Sequence, residues 1–277
     1  MKSKNVRVCI LRIEGTNCEE ESYKAFHRLL AKPELVHLKQ LSGDVREAAE
    51  RRRLSDYQCL MIPGGFSSGD YIRAGAIFAA RIKSALKDDL SSFVAEGYPV
   101  LGVCNGFQIL VELGLLPSFN NTITRYPQAV LTVNDSAKFE CRPTLLKHEN
   151  TCVFTSRIPK ERILTMPCAH AEGKFLFAKE KEEEYLKRLI ENGQIVFRYV
   201  DQNGDYCGYP WNPNGSIYNI AGICNLSRNV FGIMPHPERA FYNYTNYTGA
   251  KSESESDFIG DGRIVFESVM DYISRKF

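Results

Sequence analysis

The chain has 277 residues, 44% of them hydrophobic and 25% charged, with a formal net charge of +2. That is an ordinary globular composition, long enough to bury a sizeable core, and without the concentrated basic surface that nucleic acid or an anionic membrane requires. The apolar run before Arg12 is too short for a signal peptide, and no run approaches the ~18 apolar residues of a membrane span, so a cytoplasmic protein is expected.

Residues 6–12 read as a strand, and Gly15-Thr16-Asn17 turns the chain. Asn17 is placed to cap a helix reaching about Leu30, with Glu20 as its reciprocal partner. A second helix is expected over about 44–54, which would make Arg51-Arg52-Arg53 a solvated helix end. Residues 58–62 form a short buried strand stopping at Pro63-Gly64-Gly65. A helix over 76–95, a strand from Pro99 to Val103 and a helix over 105–114 follow. Strand alternating with helix predicts an α/β chain, with a parallel sheet covered on both faces and its site beyond the carboxyl ends of the strands.

The second half reads differently. Strand-like runs at 128–133, 151–154, 162–166, 194–200, 217–225 and 230–234 alternate with turns, suggesting antiparallel additions. Helices are expected at about 179–191 and 262–274. The polar stretch 245–261 reads as a surface loop. No repeat or composition shift marks a boundary, so residues 1–277 are taken as one domain.

Nine cysteines are scattered through the chain, none at CxxC spacing, so neither a zinc site nor a redox dithiol is suggested and a reducing compartment fits. Cys104 differs from the others. It follows a buried strand, with Gly102 and Gly106 on either side and a helix starting at once. This is a cysteine version of the strand-to-helix nucleophile elbow. Such a turn exposes the nucleophile and places the thiol at a helix N-terminus, where N–H groups are expected to lower its pKa and to hold an oxyanion. A second buried strand ends at Met234-Pro235-His236-Pro237-Glu238. His236 and Glu238, two apart, project to one side of an extended chain, so the carboxylate can orient an imidazole that takes the thiol proton. The glycines after Pro63 can leave backbone N–H groups aimed at an anion. Their spacing is neither a dinucleotide fingerprint nor a phosphate loop.

With Cys104, His236 and Glu238 in that order, the chain resembles the class I (triad-type) glutamine amidotransferases. Within them it is most similar to the glutaminase subunits of phosphoribosylformylglycinamidine synthase. The motifs carrying the resemblance are Gly15–Cys18, Pro63–Asp70, Gly102–Gln108, Asn214–Ser216, Ile220–Ile223 and Met234–Arg239. The resemblance implies a flavodoxin-like three-layer sandwich with a mostly parallel central sheet and added strands. It implies Cys104 as nucleophile, His236 as general base and acid, and Glu238 as its orienter. Gly64 and Gly65 belong to the implied oxyanion loop, with the N–H groups of Gly65 and Asn105 as donors. Gln108 would help hold glutamine, and Glu172 would either receive the substrate α-ammonium or order its loop.

No metal or cofactor is implied in this chain. ATP and Mg²⁺ are expected in a large synthetase subunit that takes the ammonia, and a small accessory subunit is left open. Because no synthetase segment is present, the chain is expected to be a separate subunit, slow in isolation. Two alternatives stay open on the residues alone: an amidotransferase of another pathway, and a non-catalytic subunit of the same fold.

Overall fold

The computed structural model describes residues 5–120, 123–243 and 259–277. The first half alternates strand and helix: β1 (Arg7–Arg12), α1 (Glu19–Arg28), β2 (Lys32–His37), α2 (Leu38–Ser42), β3 (Cys59–Ile62), α3 (Ala76–Ala95), β4 (Val100–Val103) and α4 (Asn105–Glu112). The second half adds β5 (Val130–Thr132), β6 (Glu140–His148), β7 (Ile163–His170), β8 (Lys174–Leu176), α5 (Glu182–Glu191), β9 (Ile195–Val200), β10 (Ile220–Cys224), β11 (Val230–Ile233) and α6 (Arg263–Lys276).

Among the described residues, nine strands form one sheet in the order β2-β1-β3-β4-β11-β10-β9-β6-β7, while β5 and β8 pair separately. The first five run parallel. The remaining four join by antiparallel ladders. Every residue of β3, β4 and β11 is buried, as in strands covered on both faces. From β1 the chain crosses outward to β2, whereas from β3 it crosses the opposite way to β4. Right-handed crossovers therefore put α1 on one face and α3 on the other. Phe26 of α1 meets Phe266 of α6 edge-on at 5.2 Å, and α3 packs on α4 over β3, β4 and β11. On α3, Phe78, Ile82, Leu86, Leu90 and Phe93 recur at helical spacing and are buried, each worth about 1.5–3 kcal/mol of transfer.

Several elements differ from the sequence reading. Asn17 does not cap α1. Cys18 holds the N-cap position without a capping bond from its side chain, and Asn17 Oδ1 accepts the Phe66 N–H at 3.2 Å instead. The expected helix over 44–54 has no apolar stripe to bury, and only 3-10 turns form at Ala48–Glu50 and Leu54–Asp56. Arg52 is no solvated helix end: its Nε lies 2.5 Å from Glu34 Oε1, and Tyr57 donates to Glu34 Oε2 at 2.6 Å. The strand β2 went unread because it begins Lys32-Pro33, a pairing tolerated at the sheet edge that β2 occupies. Residues 151–154 form no strand but lead into a turn, with Cys152 and Phe154 buried and Thr155 Oγ1 accepting the Cys152 N–H at 2.9 Å. The strand of that region is β6. Of the loop expected at 245–261, residues 245–258 lie outside the described residues. Asp261 accepts from Thr165 N–H at 2.9 Å and pairs with Arg162.

Candidate active site

The elbow forms where β4 hands over to α4. Cys104 sits at φ +52°, ψ −109°, a conformation that costs a non-glycine residue energy. It is held there by its own N–H, which donates to Ile233 O at 2.8 Å, and by its carbonyl, which accepts from Phe107 and Gln108 at the head of α4. Gly106 permits the turn, since a Cβ there would collide with the Ile62 carbonyl. The thiol is buried and donates to Ala169 O at 3.5 Å.

His236 arrives from the parallel neighbour of β4. β11 pairs in register with β4, Gly232 opposite Gly102 and Ile233 opposite Val103, so the segment after β11 ends beside Cys104. There the His236 N–H donates to Pro167 O at 2.8 Å. His236 Nδ1 lies 2.6 Å from Glu238 Oε1 with both side chains buried. The pairing is not made by an extended chain, as the spacing suggested. Pro237–Ala240 is a 3-10 turn that folds Glu238 back onto the ring. Among the described residues, His236 Nε2 and Glu238 Oε2 are buried without partners.

Gly64 sits at the centre of this group. A Cβ on it would meet His236 Cε1 at 2.9 Å, and Cys104 Cβ and Cys18 Sγ at 3.3 Å each. Gly65, at φ +131°, lies against the Asn17 N–H, and no acceptor for its own N–H occurs among the described residues.

Burial pushes the Cys104 thiol well up from its ordinary range, and the nearby Cys18 adds to this. The Asn105 N–H at the start of α4 and Arg239 act the other way. The helix terminus does favour the thiolate, as expected from the sequence. In the closed site, however, desolvation outweighs it.

Polar groups around Asn105 form one connected network. Asn105 Oδ1 accepts from Ser67 at 2.6 Å, while its Nδ2 donates to Asp70 Oδ1 at 3.2 Å and to Gln108 Oε1 at 2.9 Å. Gln108 Nε2 donates to the Glu172 carbonyl, and Glu172 Oε2 accepts from Ala74 N–H at 3.1 Å. Burial raises the Asp70 carboxyl, opposed by the Gly75 N–H. Ser67 and Asp70 were not singled out in the sequence, because their link to Asn105 spans more than 30 positions.

His170 lines the same pocket. Asn134 Nδ2 donates to two carbonyls, and its Oδ1 accepts from Gly173 N–H at 3.0 Å and faces His170 Nδ1 at 3.1 Å. His170 Nδ1 is therefore the proton donor. Its Nε2, buried without a partner, carries a lone pair.

Cys104, Gly65, Gln108, Glu172 and His236 open onto one cavity of about 250 Å³. A cavity of about 360 Å³ lies behind Glu238 and Arg239, but it contains none of Cys104, Gly64 or Gly65. Cys18 Sγ, a His236 ring nitrogen and a Glu238 carboxylate oxygen fall within 4.8 Å of one another. Arg239 Nη2 already contacts that sulfur at 3.1 Å, so the three donors are poorly arranged for a cation.

The model of the CobB/CobQ-like glutamine amidotransferase domain matches residues 5–273. The phosphoribosylformylglycinamidine synthase subunit PurQ of Archaeoglobus fulgidus is 54% identical over 99% of this chain and 100% of its own length. The PurQ subunit of Picrophilus torridus is 47% identical over 94% and 96%. Among solved structures, a chain of PurLQS from Thermotoga maritima superposes with a TM-score of 0.70 at 32% identity, covering 98% of this chain and 99% of that one. The chain belongs to the CobB/CobQ-like glutamine amidotransferase family and, within it, to the PurQ subunits of phosphoribosylformylglycinamidine synthase.

Proposed function

We propose that this chain hydrolyses L-glutamine to glutamate and ammonia as the glutaminase subunit of phosphoribosylformylglycinamidine synthase, with Cys104, His236 and Glu238 as its triad. One observation carries the assignment of residues. The strained Cys104 and His236, 132 positions apart (236 minus 104), meet around Gly64 on one cavity, with Glu238 2.6 Å behind the imidazole.

The carboxylate of Glu238 accepts from Nδ1–H, which leaves His236 Nε2 as the base. Nε2 takes the Cys104 proton as sulfur attacks the side-chain amide carbon of glutamine, and the N–H groups of Gly65 and Asn105 receive the oxyanion. The imidazolium returns its proton to the departing nitrogen, so ammonia leaves and a γ-glutamyl thioester remains. Water, deprotonated by the same Nε2, releases glutamate and restores the thiol. Each proton transfer is assigned to His236, so the hydrolysis calls for no metal. Gln108 and Glu172 shape the glutamine pocket through their mutual hydrogen bond, with the Glu172 carboxylate near the place of the α-ammonium.

The partner is a large synthetase subunit, which would bind ATP, Mg²⁺ and formylglycinamide ribonucleotide and take up the ammonia. No helix among the described residues is long and apolar enough to cross a membrane, and a cytoplasmic setting suits this role. A thiol held protonated by burial favours slow turnover until the partner docks. The test is glutamate release with the synthetase, ATP and formylglycinamide ribonucleotide, comparing native chain with Cys104→Ala. Release that needs both Cys104 and the partner supports the reading. Cys104-dependent release indifferent to partner and ribonucleotide removes the pathway assignment.

A further inference from the structure

Beside Glu172, a second carboxylate lines the glutamine cavity, and the reaction cycle gives it no task. Asp70 closes the short 3-10 segment Ser67–Asp70 at φ +49° and is half-buried. Its Oδ1 accepts from Gly75 N–H at 3.0 Å and from Asn105 Nδ2 at 3.2 Å. Its Oδ2 has only a long contact of 3.4 Å to the same Nδ2, so most of its accepting capacity is unused.

The two carboxylates are seated side by side. Glu172 Oε2 accepts from the N–H of Ala74, and the next N–H in the chain, that of Gly75, is the one held by Asp70. No cation among the described residues pairs with either. Arg73 is held by Glu112 at 2.7 and 2.5 Å, and Arg239, the cation that shares the cavity wall, lies on Cys18. Burial raises the Asp70 carboxyl, and the charge of Glu172 adds to the rise. Two like charges on one partly desolvated wall lack a counter-ion, and a bound cation would supply it.

The distances suit the far end of the substrate. Gln108, which bonds the Glu172 carbonyl, follows Cys104 by about one helical turn, or about 5.4 Å. An extended glutamine carries its α-ammonium about 5 Å from its side-chain amide carbon. With that carbon at the Cys104 sulfur, the ammonium comes within reach of the paired carboxylates.

We propose that Asp70 and Glu172 together seat the substrate α-ammonium, with Asp70 Oδ2 as a contact that selects an α-amino acid over its deaminated analogue. The inference rests on the glutaminase reading above and adds Asp70 to it. An ammonium has three N–H donors, enough for one bond to each carboxylate. It stays unchanged while the amide reacts, so Asp70 binds ground state and transition state alike and its loss appears in KM.

The experiment uses the chain reconstituted on its synthetase with ATP and formylglycinamide ribonucleotide. It follows glutamate release from L-glutamine and glutarate release from 4-carbamoylbutanoate, which is glutamine without its α-amino group. Where the analogue turns over too slowly to follow, its inhibition constant against glutamine replaces kcat/KM. Asp70→Asn keeps an oxygen for the Gly75 N–H but removes the charge. It is expected to lower kcat/KM for glutamine about 30-fold, the loss of one hydrogen bond to a charged group, with kcat within about threefold of native. For the analogue, kcat/KM should stay within about threefold, so the preference for glutamine shrinks about tenfold or more. An equal fall for both substrates would make Asp70 a prop of the pocket wall and overturns the inference, as does a native kcat/KM for glutamine. If Asp70→Asn fails to fold, Asp70→Ser is put through the same comparison with the same two overturning results. Failure of the native complex to release Cys104-dependent glutamate would instead remove the functional reading beneath it.

Discussion

A methyl group on Gly64 would lie 2.9 Å from Cε1 of His236, the carbon between its two ring nitrogens, and 3.3 Å from Cβ of Cys104. The imidazole and the Cys104 side chain are thus packed against the same backbone atom. Gly64→Ala is expected to push the imidazole off its line to the thiol. A displacement of that order costs about 100-fold in kcat, while overpacking costs about 1–3 kcal/mol of stability. Steady-state kinetics with a urea titration check this; native kcat in a folded Gly64→Ala chain would show the contact is not used.

Glu238 and His236 are both buried, and their 2.6 Å contact sets the imidazole tautomer. Glu238→Gln can donate its amide N–H to Nδ1 and so place the ring proton on Nε2, where the base should be. Loss of kcat by about 10³–10⁴-fold is expected, with little change in KM. A loss of tenfold or less would mean that the carboxylate does not set the tautomer.

Cys104 holds a positive φ that its side chain disfavours. Both Cys104→Ala and Cys104→Gly should abolish glutamate release. The Gly variant should nevertheless be the more stable of the two, by about 1 kcal/mol, because only glycine adopts that conformation without strain. Thermal melts of both variants decide it, and equal midpoints would mean the elbow stores no strain.

His170 is held down to about 4 from an ordinary 6.5, first by burial and then by the charge of His236. Between those values the unfolded chain binds a proton that the folded chain refuses. Stability from this group is therefore complete above about pH 6.5 and drains away as pH falls toward about 4, by about 3 kcal/mol in all. His170→Asn should flatten that acid slope. Urea midpoints at about pH 7 and about pH 4.5 test it, and an unchanged slope in the variant would place the acid sensitivity elsewhere.

The local features of the site were legible in the sequence because they rest on neighbours along the chain. The buried run ending at Val103, the glycines about Cys104 and the apolar stripe of α3 all appear as composition and period. The elbow formed at the residues the pattern named. Misreadings fell where a local pattern competed with a distant partner. Asn17 looked like a cap, but its oxygen serves Phe66, 49 positions away. Arg52 looked solvated, but it serves Glu34 across β2.

By itself the sequence determined the alternation of strand and helix, the elbow and the residue types of the triad, since backbone sterics and hydrophobic period act over a few residues. Only the tertiary structure decided the rest. The register of β11 on β4 brings His236 to Cys104. The closeness of the packing reverses the expected pKa of that thiol. Convergence of α1 with the turn after β11 sets Cys18 and Arg239 against Glu238. The physical reason is common to all three: burial and electrostatics depend on what surrounds a group in space, and a chain position carries no record of that until the sheet has closed around it.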